Sequence, residues 1–320
     1  MTVFFGILNS WLPFWIVVLI SVARPAMAQD LQCKTLAATE SVLAMSINDQ
    51  TIVLVSWDHP TKPSTTVKPA FDKAVRMARA GNCKQAETQL RAYVKSEAKR
   101  FATFQRAKSE LIKNIGRFEA KVIGDEHTAT DKMSDDQQIS AQNVDELIES
   151  CESSASFGQA ASDFFLVARG PQEAAAHELK KRKLEIEIVA VGDAVLKAKI
   201  DSVTTPEVRD FEYTELSSKA REAYGRFCFE HVYHPGSSDP AANRNRVIEA
   251  ETKPAEKQKL KRILPSLEVI AEVHMARNKA MVENSLATNA NTAILIGKDH
   301  LRTMQDLCKN DFDLPAWDAE

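Results

Sequence analysis

Two Asp-His dipeptides, Asp58-His59 and Asp299-His300, each follow a short apolar segment of the sequence. Imidazole nitrogens and carboxylate oxygens are ligands that zinc and related divalent metals bind readily. A metal held in this way can activate water for attack on a substrate. We therefore expect His59 and His300 to be metal ligands, with Asp58 or Asp299 orienting an imidazole or acting as a general base. The alternative is that the two dipeptides lie in unrelated surface loops.

The apolar segments before the two dipeptides have the composition of buried strands. Residues 51–55 read Thr-Ile-Val-Leu-Val and residues 292–296 read Thr-Ala-Ile-Leu-Ile, and such runs are typical of strands that are buried on both faces. Each is followed by a small residue, Ser56 or Gly297, which allows a sharp turn or the close approach of a ligand. Ligand sites in α/β proteins gather beyond the carboxyl ends of parallel strands. If these strands are parallel neighbours, both histidines lie at one edge of the sheet.

Helical patterning dominates the sequence between the two strands. Apolar residues recur at three- and four-residue intervals in residues 70–115, 213–227 and 260–284, as expected for amphipathic helices. Residues 124–143 are polar and predict a loop, and residues 184–191 are assigned to a helix, with a strand as the alternative. The sequence therefore predicts a helix-rich α/β fold. Its small mixed sheet is formed by N- and C-terminal strands, and a large helical insertion occupies about residues 80–260 of one domain, residues 29–320.

The first residues have the pattern of an export signal. Residues 3–23 are almost wholly apolar, and Ala26-Met27-Ala28 is a small-x-small end that signal peptidase accepts. We predict cleavage after Ala28 and a periplasmic or secreted protein. No Lys or Arg precedes the apolar core, which is long enough to span a bilayer, so a retained membrane anchor at the N-terminus is the alternative.

Cysteine usage agrees with a location outside the cytosol. Five cysteines follow the predicted signal: Cys33, Cys83, Cys151, Cys228 and Cys308. In an oxidising compartment they allow two disulfides with one cysteine left over, and the sequence leaves their connectivity open. No Cys-x-x-Cys pair is present, which disfavours a structural zinc site and a thioredoxin-type motif.

Composition and motifs exclude several classes of function. Lys and Arg number 41 against 44 Asp and Glu, and this balance gives no support for a nucleic-acid binder, which carries a basic face. The sequence contains no Gly-x-Ser-x-Gly elbow, P-loop or His-Glu-x-x-His motif. We expect a peptide or small-molecule ligand, and contact with a membrane only if the N-terminal segment is retained.

Three other histidines are weaker candidates for chemistry. His231 and His234 form a spaced pair that suits one metal on a turn, but such pairs are more often a helix end followed by a loop. His274 and Arg277 share a helix face and are candidates to point toward His300. The alternative for His274 is a partly buried ring with a hydrogen-bond partner.

The C-terminal part of the sequence carries a family resemblance. Residues 276–281 (Ala-Arg-Asn-Lys-Ala-Met) and 293–301 (Ala-Ile-Leu-Ile-Gly-Lys-Asp-His-Leu) resemble the C-terminal signature of the TraB/GumN family. In that family a helix with an Arg-Asn pair precedes a strand and a Gly-x-x-His-Leu turn. Residues 51–59 resemble its first strand and Gly-x-x-His turn. The family belongs with the Tiki-type metallopeptidases and is more distantly similar to erythromycin esterase and the ChaN haem-binding lipoproteins.

This resemblance implies a mixed sheet with a helical insertion and a site between the two histidine turns. His59 and His300 match the motif histidines, and Arg277 matches the helix arginine, which would stabilise negative charge on a substrate carbonyl. Ser56 stands where the first motif has glycine, and we find no glutamate at the end of an early strand, where the family has one.

The function that the resemblance implies is metal-dependent hydrolysis, with a peptide bond as a candidate target and a divalent metal whose identity the sequence leaves open. Two alternatives remain. One is a non-catalytic protein that binds a haem-like or peptide ligand on the same scaffold. The other is a helical interaction module.

Overall fold

The computed structural model describes residues 32–57, 67–125, 139–151, 154–211, 213–233 and 240–309. The predicted signal segment, residues 1–28, lies outside the described residues, as do Asp58, His59 and His234. Asp299 is described by its backbone only.

Six strands form one mixed sheet in the order β1-β2-β3-β6-β4-β5. They are β1 (Cys33–Ala38), β2 (Val42–Ile47), β3 (Gln50–Trp57), β4 (Val122–Asp125), β5 (Glu187–Ala190) and β6 (Thr292–Gly297). β1, β2 and β3 pair antiparallel, whereas β3, β6, β4 and β5 are parallel neighbours. The predicted α/β fold, with N- and C-terminal strands paired in a small mixed sheet, is therefore confirmed.

Helices account for most of the remaining described chain. They are α1 (Val67–Arg79), α2 (Cys83–Ser96), α3 (Ala98–Phe118), α4 (Ala141–Glu149), α5 (Ala155–Arg169), α6 (Pro171–Lys181), α7 (Ala194–Val203), α8 (Pro206–Arg209), α9 (Ser218–Tyr233), α10 (Pro240–Ala250), α11 (Pro254–Leu286) and α12 (Lys298–Lys309). All but α12 lie in sequence between β3 and β6, as do the strands β4 and β5.

The two faces of the sheet bury alternate residues of each strand. In β3, Ile52 and Leu54 pack in a cluster with residues of α11 and α12. Val53 and Val55 face the other way and pack with residues of α3 and α6. Because both faces are covered by helices, the four central residues Ile52 to Val55 are all apolar and buried, as expected for a strand that is buried on both faces.

A two-residue turn joins β2 to β3 and sets their register. Ile47 pairs with Gln50, and the turn residues Asn48 and Asp49 have φ values of 48° and 65°. Positive φ at both positions is characteristic of a type I′ turn, whose twist matches that of the strands, and Asn and Asp tolerate this conformation. The turn therefore fixes which residues of β3 face α11 and α12.

Two assignments made from the sequence are wrong. β4 includes Gly124 and Asp125, which the sequence assigns to a polar loop, and β5 lies within residues 184–191, which are assigned to a helix. Each strand has four residues, too few for a periodic pattern to develop. They are strands because β4 pairs with both β5 and β6, so their structure depends on distant segments of the chain.

Replacing Gly124 with alanine is expected to lower the free energy of unfolding by about 1–3 kcal/mol. A Cβ at this position would lie 2.8 Å from Cγ1 of Ile294 and 3.3 Å from both Val191 methyls, so the packing of β4 on β6 must open. Gly116→Ala in α3 is the matched control, since no atom lies within 4 Å of its added Cβ. This control should gain up to about 1 kcal/mol from helix propensity. Urea unfolding followed by circular dichroism measures both values. A Gly124→Ala protein as stable as the parent would contradict the close approach.

Two disulfides confirm the prediction that the cysteines form bridges. Cys33–Cys308 joins β1 to α12, and Cys83–Cys151 joins the first residue of α2 to the chain just after α4. Cys228 lies on α9. Disulfides persist in oxidising compartments, so both bridges agree with export from the cytosol. In the part of the chain that the structure describes, no helix is long and apolar enough to cross a membrane.

The buried carboxylate of Glu251 joins three helices of the insertion. It is 2% exposed and accepts hydrogen bonds from the backbone N–H groups of Ser217 and Lys253, each at 2.9 Å. These groups adjoin the starts of α9 and α11, while Glu251 itself follows α10. Burial raises the pKa of Glu251, but the backbone hydrogen bonds from Lys253, Ser217 and Thr252, together with the charge of Lys253, outweigh it and hold the pKa below its ordinary value. This charge therefore fixes α9, α10 and α11 together.

Candidate active site at the carboxyl edge of the sheet

The two predicted site strands are parallel neighbours. Trp57 pairs with Gly297, and Ser56 pairs with Ile296, so β3 and β6 end at the same edge of the sheet. The chain passes from Trp57 directly to Asp58 and His59, which lie outside the described residues. The predicted roles of Asp58 and His59 therefore stay predictions.

Serine at position 56 is compatible with the strand that it occupies. Ser56 is not among the residues with positive φ, and its N–H donates to the carbonyl oxygen of Ser41 at 2.8 Å. Because only a positive φ would require glycine, serine at this position leaves the backbone of β3 regular.

The segment after β6 is the start of a helix. α12 begins at Lys298, directly after Gly297, so the Gly-x-x-His stretch consists of the strand end and the first helical turn. Asp299 and His300 are the second and third residues of α12. The short connection places His300 at the carboxyl edge of the sheet, as the sequence predicts for ligand-binding residues.

A buried asparagine fixes the ring of His300. Nδ1 of the half-buried His300 lies 2.5 Å from Oδ1 of Asn278 on α11, and Asn278 is fully buried. An amide oxygen only accepts hydrogen bonds, so Nδ1 of the neutral ring carries the proton and Nε2 carries the lone pair. This is the arrangement in which proteins orient an imidazole that binds a metal or accepts a proton.

His274 stacks against His300. The centroids of the two rings are 4.2 Å apart, and the ring planes are inclined by 30°. His274 precedes Asn278 by four residues on α11, which places both on one helix face. The His274 ring therefore packs against the ring of His300 and supports its position. The structure thus places His274 where one interpretation of the sequence expected it.

Arg277 and Asp299 are the sequence neighbours of the hydrogen-bonded residues Asn278 and His300. Arg277 is half-buried and directly precedes Asn278 on α11, while Asp299 directly precedes His300 on α12. The predicted role of Arg277, stabilising negative charge on a substrate carbonyl, stays a prediction, and the residue of the Arg-Asn pair that hydrogen-bonds His300 is Asn278. The signal that would have identified Asn278 is its spacing of four residues from His274.

A third parallel strand ends at the same edge of the sheet with a carboxylate. Gly124 of β4 pairs with Ile294 of β6, and β4 ends at Asp125. The chain continues with Glu126 and His127, which lie outside the described residues. Gly124 to His127 repeats the small-x-x-His spacing of the other two strand ends, which is the signal that the sequence analysis missed. β4 itself ends with an aspartate, and Glu126 lies outside the described residues, so the expectation that no glutamate ends an early strand stays a prediction.

Two buried polar atoms on the α11 and α12 side of the sheet lack partners. Oγ of Ser56 and Nδ2 of Asn278 are buried without a hydrogen-bond partner in the described part of the chain. Ser56 alternates with Leu54 and so shares the face that α11 and α12 cover. Buried groups of this kind are uncommon and cost free energy, and they are found where a ligand or water completes the bonding.

The described side chains near His300 supply only some of the ligands that a metal ion needs. Among the described residues, the imidazole of His300 is fixed by Asn278, and the imidazole of His274 lies against it. Within the described ranges, no three His, Cys, Asp or Glu side chains lie close enough together to hold a metal ion. The alternative metal site, formed by His231 and His234, stays a prediction. His231 lies in the last turn of α9, and His234 lies outside the described residues.

Replacing Asn278 with leucine is expected to change the tautomer of His300. In the parent, Oδ1 of Asn278 holds the proton on Nδ1, whereas the variant should show a mixture that includes the Nε2–H form. Nitrogen-15 chemical shifts of labelled histidine measure the change. Asn114→Leu is the matched control, because Asn114 is also buried but donates to the Glu110 carbonyl within α3. An unchanged tautomer in the Asn278 variant would contradict the contact.

Comparisons with known proteins found no matching family model, no matching curated protein and no matching solved structure.

Proposed function

We propose that the protein is an exported, metal-dependent hydrolase of the TraB/GumN type, with its active site at the carboxyl edge of β3, β6 and β4. The observation that carries the proposal is the hydrogen bond from Nδ1 of His300 to Asn278. It fixes the orientation of the His300 ring with the proton on Nδ1, in the manner of histidine ligands that are held by a second residue. The resemblance of residues 276–301 to the family signature supports the same site.

The residues of the edge divide into binding and proton-transfer roles in this proposal. His300 and His59 hold the metal, which when bound supplies Lewis-acid activation of water and of the substrate carbonyl. Asp58 or Asp299 accepts the proton of the attacking water. Arg277 binds the negative charge that develops on the carbonyl oxygen. The Asp125 carboxylate at the end of β4 is a further oxygen donor at this edge.

Export is part of the proposal. The two disulfides require an oxidising compartment to persist, and residues 1–28 have the pattern of a cleaved signal peptide. A retained anchor would leave the same folded region outside the cytosol. N-terminal sequencing of the exported protein distinguishes the two, because cleavage after Ala28 leaves Gln29 as the first residue.

The protein purified after export, with its disulfides intact, tests the proposal. After incubation with Zn²⁺, Mn²⁺ or Co²⁺ and desalting, elemental analysis should find one of these metals retained. Mass spectrometry of a mixture of unstructured peptides should then show cleavage that a chelator stops and that added metal restores. Retention of no metal together with the absence of chelator-sensitive cleavage would contradict the proposal.

A non-catalytic binding protein is the second candidate. It is favoured by the lack of a three-ligand group among the described His, Cys, Asp and Glu side chains. On this alternative the same edge of the sheet binds a haem-like or peptide ligand without cleaving it. Titration with haem distinguishes the candidates, since a change in the Soret absorption without peptide cleavage would support the binding protein.

A further inference from the structure

A small groove lies between α9 and α10, in the helical insertion. Lys219, Arg226 and Phe227 line it from α9, and Asn243 and Arg246 line it from α10; its volume is about 190 Å³. Pockets for drug-sized ligands measure roughly 300–1,000 Å³, so this groove has room for a smaller molecule. The spacing of Lys219, Arg226 and Phe227 places them on one face of α9.

The charge of the groove favours an anion. Three cationic side chains, those of Lys219, Arg226 and Arg246, line it with one carboxylate, that of Glu222. Glu222 accepts a hydrogen bond from Arg226 at 2.7 Å, but both side chains are largely exposed, 67% and 73%. An exposed ion pair is weak, so it can rearrange around a ligand. Guanidinium groups bind carboxylates and phosphates through paired hydrogen bonds.

A buried amide gives an independent indication of a ligand. Asn243 is 3% exposed, and its Nδ2 is buried with no hydrogen-bond partner among the residues that the structure describes. A buried donor without a partner costs free energy. Nδ2 can only donate, so the atom that satisfies it must be an acceptor. An oxyanion meets this need and also pairs with the cations of the groove.

The apolar part of the groove narrows the class of ligand. Phe227 is 2% exposed and lines the groove together with Ala223. From this combination of a buried donor, three cations and an apolar wall, we infer that the groove binds a small organic anion, a phosphate or carboxylate attached to an apolar group. This groove is separate from the proposed hydrolase active site, and the inference does not depend on the proposed hydrolase function.

The test uses the exported, disulfide-intact protein and three probes: phenyl phosphate, benzoate and inorganic phosphate. Calorimetry and thermal unfolding are measured at constant ionic strength. We expect saturable binding of phenyl phosphate or benzoate, and at least tenfold weaker binding of inorganic phosphate, which lacks the apolar group. A preference for phenyl phosphate over benzoate would assign the site to phosphate monoesters, and the reverse to carboxylates. Binding of neither organic probe would overturn the inference.

Three variants separate binding from structure. Asn243→Leu removes the unpaired donor, so it should unfold at the parent's temperature or higher without ligand, yet bind the organic probe at least tenfold more weakly. Arg246→Gln should also weaken binding at least tenfold. Arg221→Gln is the matched control, because it removes the same charge from α9 at an exposed position outside the groove. Parent-like binding by Asn243→Leu, or equal losses in Arg246→Gln and Arg221→Gln, would overturn the inference.

Discussion

Replacing His300 with alanine is expected to lower both metal affinity and metal-dependent cleavage by at least about 100-fold. The loss of a residue that merely orients a ligand costs up to about 100-fold, and His300 is the proposed ligand itself. The rest of α12 should remain folded, because Leu301, Met304 and Leu307 stay buried against the sheet. Metal titration and peptide cleavage, measured on the same preparation, check the result.

A second histidine variant distinguishes the loss of a metal ligand from a general loss of stability. Nε2 of His177 lies 3.0 Å from both carboxylate oxygens of Asp145, and its side chain is 9% exposed. The contact joins α6 to α4 and plays no part in the proposed site. His177→Ala should therefore lose stability, by about 1–3 kcal/mol for a broken charged hydrogen bond, and keep metal affinity. Equal loss of metal affinity in both variants would mean that His300 acts only through stability.

Replacing Cys33 and Cys308 together with serine is expected to lower the free energy of unfolding by about 5 kcal/mol. The bridge joins residues separated by 275 positions, and it connects the edge strand β1 to the final described helix. Without it, the unfolded chain gains the entropy of its longest closed loop. Cys308 is also 2% exposed, so its serine replacement buries a hydroxyl group. Guanidinium unfolding of the parent and the double variant measures the difference.

The second bridge is the matched comparison for this prediction. Cys83 and Cys151 are separated by 68 positions, and their double serine variant should lose about 4 kcal/mol, less than the longer loop. Both double variants should unfold in one cooperative transition if the described helices and sheet are a single folding unit. A larger loss from the shorter loop would show that local packing, rather than chain closure, controls the stability.

The two strands that precede the candidate histidines were predictable because their apolar composition is typical of buried strands. The centres of β3 and β6, residues 52–55 and 293–296, are unbroken apolar runs, as expected for strands that are buried on both faces. The prediction of two disulfides likewise needed only the cysteine count and the export pattern. His300 was identified from its place after a strand, and Asn278 appeared in the family signature without a role.

The sequence could not reveal β4, because four residues with one glycine resemble a polar loop until β5 and β6 lie on either side of them. It also could not reveal the partner of His300. Asn278 precedes His300 by 22 positions, and only the packing of α11 against α12 brings Oδ1 to Nδ1.

Even the alignment of the two histidine motifs differs between sequence and structure. Ser56 and Gly297 each precede a motif histidine by three positions, so the sequence motifs align these two residues. In the sheet, however, Ser56 pairs with Ile296, and Trp57 pairs with Gly297. Thus the sequence alone determined that residues 51–55 and 292–296 are strands and which side chains follow them. Only the tertiary structure decided their neighbours and register, because pairing and packing depend on contacts between segments that are far apart along the chain.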